Sequence, residues 1–99
     1  SMTRNDIHPG YFIILSNNNT FTVIGVPNGK YIMPEGSKRA LTRLEDLCKE
    51  DLTPMFGMSE IIEIRGRDGN TIWTKPVEMT ISEIENALKL TPGSLIIKD

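Results

Sequence analysis

Apolar positions recur along this chain at two different periods, and the change of period divides it. From Tyr11 to Leu15 every residue is apolar. Tyr11, Ile13 and Leu15 fall on one face of an extended strand, and Phe12 and Ile14 on the other. Apolar residues on both faces predict a strand covered on both sides. Ser16-Asn17-Asn18-Asn19 reads as a turn, because Asn accepts positive φ and bonds its own backbone. Thr20–Val26 is β-branched and aromatic, the composition of a second strand, and Pro27 ends it. Asn28-Gly29 predicts a two-residue turn of type I′, which needs positive φ at both central positions. Lys30–Met33 returns as a third strand. The chain up to Met33 therefore reads as a three-stranded meander, which Pro34-Glu35-Gly36 breaks.

The period then lengthens. Leu41, Leu44, Leu47 and Cys48 are spaced for a helix over 38–49, with Ser37 available to cap its start. Thr53-Pro54 and Gly57 mark an irregular connection. Glu60–Gly66 predicts a fourth strand, Arg67-Asp68-Gly69-Asn70 a second hairpin turn, and Thr71–Lys75 a fifth strand closed by Pro76. Thr80 and Glu83 form a T-x-x-E capping box at a helix start. Met79 and Ile84 have the spacing of a hydrophobic staple, and Ile81, Ile84, Ala87 and Leu88 make one apolar face. Thr91-Pro92-Gly93 stops that helix, and Leu95-Ile96-Ile97 reads as a last strand.

The pattern predicts an α+β domain: a small SH3-like or partly open β-barrel, meander plus hairpin, with a C-terminal β-α-β unit along it. Residues 1–99 form a single domain on this reading, 6–75 the barrel-like part and 76–99 the helix with the last strand. At 99 residues the chain has room for one such domain. A domain of this size buries only about 60–65% of its unfolded surface, so association into a homo-oligomer is an expected source of stability.

Charge and cysteine content narrow the function classes. Eleven Lys and Arg stand against thirteen Asp and Glu, a net charge of −2, which disfavours duplex nucleic acid as partner. The single cysteine, Cys48, forms no intramolecular disulfide, as expected of a protein of the reducing cytoplasm. No apolar run approaches the ~20 residues of a membrane span, and the polar start carries no secretory signal. Ser1 ahead of Met2 reads as a remnant of tag cleavage.

The catalytic inventory is thin. His8 is the only histidine, no serine lies in a G-x-S-x-G elbow, and Cys48 falls on the apolar face of the predicted helix. One His and one Cys do not make a zinc site, and the acidic run Glu45, Asp46, Glu50, Asp51 lacks the ligand spacing of a calcium loop. Neither an enzyme, nor a metal site, nor a cofactor is therefore expected. Anion binding fits better. Lys38 and Arg39 follow Gly36-Ser37 at the start of the predicted helix, with Arg43 one turn on. Arg65 and Arg67 flank the second hairpin, with Trp73 on its returning strand. An arginine beside an aromatic ring can hold a phosphate and stack on a base. Candidate ligand residues are thus Lys38, Arg39, Arg43, Arg65 and Arg67 for phosphates, and Tyr11, Tyr31 or Trp73 for a base. Set against this, short basic clusters are common on surfaces and a tryptophan is more often core than platform.

Three segments resemble a family of small proteins found in phages and bacterial prophages. Asp6-Ile7-His8-Pro9-Gly10-Tyr11 resembles their D-[IL]-K-x-G start. Glu50-Asp51-Leu52-Thr53, followed by Ile61-Ile62-Glu63-Ile64, resembles their NEDLT…DIVKV middle. Ile72-Trp73-Thr74-Lys75 with Pro76-Val77-Glu78-Met79-Thr80-Ile81-Ser82-Glu83-Ile84-Glu85 resembles their LW…P-x-E-M-T-[VI]-x-E-I-E tail. Cys48-Lys49 departs from the Tyr-Asn that those proteins often carry. The resemblance transfers no catalytic residue. It implies a phage protein acting in the cytoplasm of a bacterial host, and an anti-defence role. The leading expectation is a sponge that sequesters a nucleotide-derived signal of the cyclic nucleotide or cyclic ADP-ribose type. The alternative is an interaction module that inhibits or regulates a host protein.

Overall fold

A computed structural model of the chain describes residues 1–34 and 41–89. Six strands form a single antiparallel sheet: β1 (Phe12–Leu15), β2 (Thr20–Val26), β3 (Gly29–Pro34), β4 (Thr42–Arg43), β5 (Ile61–Arg65) and β6 (Thr71–Thr74), in the spatial order β4-β3-β2-β1-β5-β6. The sheet is open, with β4 and β6 at its edges. Two helices complete the described fold, α1 (Leu44–Leu47) and α2 (Ile81–Leu88). A 3-10 turn, Arg4–Asp6, precedes β1. No helix among the described residues is long and apolar enough to cross a membrane.

The meander and the second hairpin form as the residue pattern requires, but their turns differ from type I′. Val26 pairs with Gly29, so the loop between β2 and β3 is Pro27-Asn28. Pro27 fixes its own φ near −65°, which forbids positive φ at the first central position. Gly29 alone carries positive φ there, at 148°. Gly69 does so in the second hairpin, at 84°, while the Asp68 carboxylate accepts the Asn70 amide at 2.9 Å. Asn18 takes φ 66° in the first turn, as its residue type allows.

Cross-strand register separates the two faces. Ile13 opposes Phe21 and Ile64, and Val23 opposes Ile32. Ile13, Val23, Ile32 and Ile64 are all buried, so this face is the core. Leu15 and Ile61 continue it. Their pairing skips Ile62, and the bulge lets Ile61 and Ile64, three positions apart, both point inward. Leu44 and Leu47 of α1, with Ile7, Cys48 and Leu52, close the core from the other side. The opposite face, with Phe12, Ile14, Ile24, Tyr31 and Met33, is only half-buried, and these side chains do not pack against the core. Apolar residues on both faces of β1 therefore do not mean cover on both sides.

The helix expected over 38–49 is corrected. Residues 35–40, which include Ser37, Lys38 and Arg39, lie outside the described residues. Thr42 and Arg43 are extended and pair with Ile32 and Tyr31, and helix begins only at Leu44. Sheet pairing wins over the leucine period, and Leu41 is left exposed outside the helix. Downstream, the Thr80 hydroxyl accepts the Glu83 amide at 3.1 Å and the Glu83 carboxylate accepts the Thr80 amide at 3.2 Å, the reciprocal box that the sequence predicts. Lys89 ends α2 in the left-handed region. No residue of α2 is buried, so its apolar face does not join the core as the expected β-α-β packing required. Thr91-Pro92-Gly93 and the strand Leu95–Ile97 lie outside the described residues.

Candidate anion-binding cleft

Cations gather where the first turn of the chain meets the β2–β3 hairpin and the β4–α1 junction. Thr3 donates its amide (2.9 Å) and its hydroxyl (3.1 Å) to the Asp6 carboxylate. The Thr3 backbone N–H, then its hydroxyl, hold that carboxyl below its ordinary 3.8. The tightened turn fixes Arg4, whose amide donates to Glu50 O at 2.9 Å and whose Nη1 donates to Cys48 O at 2.8 Å. Lys30 follows the Pro27-Asn28 loop, and its Nζ donates to Asn5 O at 3.3 Å. Arg43 stands opposite Tyr31 across β3 and β4, with its guanidinium 5.3 Å from the ring centroid. Its Nη1 donates to Glu45 Oε1 at 3.1 Å, a bond that raises the guanidinium pKa further.

Arg4, Lys30 and Arg43 line one cleft of about 190 Å³, together with Asn5, Asn28, Gly29, Leu44 and Glu45. Each cation spends one side-chain donor on the described residues. A guanidinium carries five N–H groups and an ammonium three, so most donors remain for a ligand. Among the described residues that line it, three positive charges oppose the one Glu45 carboxylate, and the side-chain amides of Asn5 and Asn28 add neutral donors. Such a site suits an oxyanion, and a planar guanidinium backed by a tyrosine leaves its outer face for a flat ring.

The structure divides the sequence-predicted residues. Arg43 and Tyr31 come together at this cleft. Lys38 and Arg39 lie outside the described residues. Arg65 and Trp73 do not meet. Trp73 pairs with Ile64 on the core face, where it packs against the core, whereas Arg65 pairs with Phe12 on the other face. Arg65 donates through Nε to Glu63 at 2.6 Å, and the Thr71 hydroxyl donates to the same carboxylate at 2.6 Å. Trp73 lines a separate groove of about 180 Å³ with Leu52, Ile61 and Pro76. Arg67 lies over Tyr11, 5.4 Å from its centroid, and donates through Nε to Pro9 O at 2.9 Å. It clamps the His8-Pro9-Gly10 bend, and His8 stacks edge-on against the same Tyr11 at 5.5 Å. Cys48 is buried, its thiol turned toward Leu44 O, and burial pushes its pKa up.

Arg4 and Lys30 were not singled out by the sequence. Thr3-x-x-Asp6 is a local signal for the turn that holds Arg4, and the Pro27-Asn28 loop places Lys30. Their convergence with Arg43 is a long-range consequence of β3 pairing with β4 and has no local signature. No protein-family model matches the chain, and neither a curated protein nor a solved structure matches it.

Proposed function

We propose that this chain is a non-enzymatic anti-defence protein of phage origin that binds and sequesters a nucleotide-derived immune signal, of the cyclic nucleotide or cyclic ADP-ribose type. The observation that carries the reading is the convergence of Arg4, Lys30 and Arg43 on one cleft, with Arg43 over Tyr31. The sequence resemblance to phage and prophage proteins supplies the biological setting. At about 190 Å³ the cleft is smaller than the ~300–1,000 Å³ of sites that enclose a whole ligand. It therefore takes the phosphates and leaves the base outside, where the Arg43 plane offers a stacking surface. We read the open sheet as a partly open barrel of SH3-like type, and the bulges of β1 and β5, which coil a sheet, support that reading.

A thermal-shift screen against cyclic di- and trinucleotides and cyclic ADP-ribose isomers tests the proposal. A ligand at ~100 times its dissociation constant adds about 2.7 kcal/mol of stability. For a chain of this size the expected rise is about 10 °C or more. A selective rise that Arg43→Ala abolishes supports signal capture.

One observation favours the second reading, an interaction module acting on a host protein. Phe56 is fully exposed on the turn closed by Gly57, next to Met55. An exposed aromatic on a loop is the kind of anchor that fills a partner's pocket. A flat thermal screen, together with a stoichiometric host protein retained by the wild type and lost with Phe56→Ala, would establish that reading instead.

A further inference from the structure

Two apolar surfaces of this chain lack a partner among the described residues. The first is the arm that follows β6. Val77 is 79% exposed, Ile81 and Leu88 are each 56% exposed, and Met79 is exposed as well. Ile81, Ile84 and Leu88 lie along one side of α2, which the Thr80–Glu83 capping box fixes as helix. The second is the outer face of the sheet. Phe12, Ile14, Ile24 and Met33 lie there, turned away from the core, while α1 packs on the opposite face. The arm does not fold back to cover this face. The radius of gyration is 16.9 Å, against about 13 Å for a compact chain of ~100 residues.

We infer that α2 of one copy lies across the outer sheet face of a second copy, and that the exchange is reciprocal. Both halves of the contact are present on one chain, so a two-fold arrangement satisfies each surface of both copies and then closes. A helix with one apolar side and a sheet with one uncovered apolar face are the two layers that globular folds bury against each other. The area agrees. The arm exposes roughly 400 Å² of apolar side chain, the size of the largest patch on a typical monomer, which is often a functional surface. The half-buried sheet face adds a smaller area, which brings each copy to roughly 600 Å², the low end of specific interfaces. Charge agrees as well. Arg65 borders the sheet face and keeps donors beyond its bond to Glu63. Glu85 stands on α2 beside its apolar side. The exchange is independent of the anion cleft and does not require it.

Light scattering coupled to size-exclusion chromatography tests the inference, with circular dichroism to show that each variant stays folded. The wild type is expected at twice the 11.1 kDa of one chain. Ile81→Glu combined with Leu88→Glu on the helix, or Ile24→Lys on the sheet, is expected to bring it to one chain. Mixing the two variants restores one intact helix-on-sheet contact, and a mixed pair should reappear. A wild type of single-chain mass, as intramolecular docking or a foreign partner would give, overturns the inference. So does a pair that survives either variant, or a mixture that stays apart.

Discussion

Replacing Ile13 by Ala should cost far more than replacing Ile24 by Ala, although both are apolar residues of adjacent strands. Ile13 lies in β1, between Phe21 and Ile64, and no part of it is exposed. The substitution removes three buried carbons at about 0.8 kcal/mol each. A cavity of roughly 60 Å³ that relaxes little adds about 1.4 kcal/mol. The expected loss is thus about 3–4 kcal/mol, out of about 5–15 kcal/mol for a domain of this length. The melting temperature should fall by about 15–25 °C. Ile24 points to the outer face and is only half-buried, so its truncation should cost about 1 kcal/mol or less. Urea unfolding of both variants in the background of Ile81→Glu combined with Leu88→Glu, which removes any contribution from a second copy's arm, gives the comparison. Equal losses would mean that the sheet is covered on both faces, and would refute the two-face description on which the free outer surface rests.

Three further outcomes are expected. Gly25→Ala should lower the melting temperature, because a Cβ there would stand 2.6 Å from Pro9 Cγ, under a bend held by Gly10 N–H to Val23 O at 2.8 Å; an unchanged melt would show that the bend yields freely. Acid should destabilise the fold, as the Asp6 and Asp51 carboxyls lie below their ordinary 3.8 through bonds from Thr3 and Thr53. A lowered folded-state pKa gives stability that is complete above the unfolded value and is lost as pH falls through the folded one, so the loss begins near pH 4 and continues below it. Asp6→Asn with Asp51→Asn should flatten the pH dependence of urea midpoints in that range, and an unaltered slope would contradict the assignment. Glu45→Gln should tighten phosphate binding several-fold by removing the one carboxylate at the cleft, as measured by pyrophosphate titration; weaker binding would mean that Glu45 is needed to position Arg43.

What could be read from the sequence was whatever is local. The bounds of β2, the Asn18 turn and the Thr80–Glu83 cap rest on neighbouring residues, and the structure places them as read. The type I′ turn failed for a reason also present in the sequence, since Pro27 occupies a position where that turn needs positive φ. The leucines at 41, 44 and 47 misled because spacing alone cannot say that Thr42 and Arg43 will pair with β3. Arg65 and Trp73 looked like neighbours on a hairpin, but the cross-strand register puts them on opposite faces, and the bulge beside Ile64 shifts that register. The cleft was half legible. Arg43 and Tyr31 were candidates, while Arg4 and Lys30 join them only through contacts distant along the chain.

An amide NMR titration of the ¹⁵N-labelled protein with pyrophosphate tests the cleft most directly. The account predicts saturable shifts at Arg4, Asn5, Asn28, Gly29, Lys30 and Arg43, weakening as salt is raised, with Arg65 and Arg67 unmoved. Shifts centred on Arg65 and Arg67, or none that saturate, would contradict it.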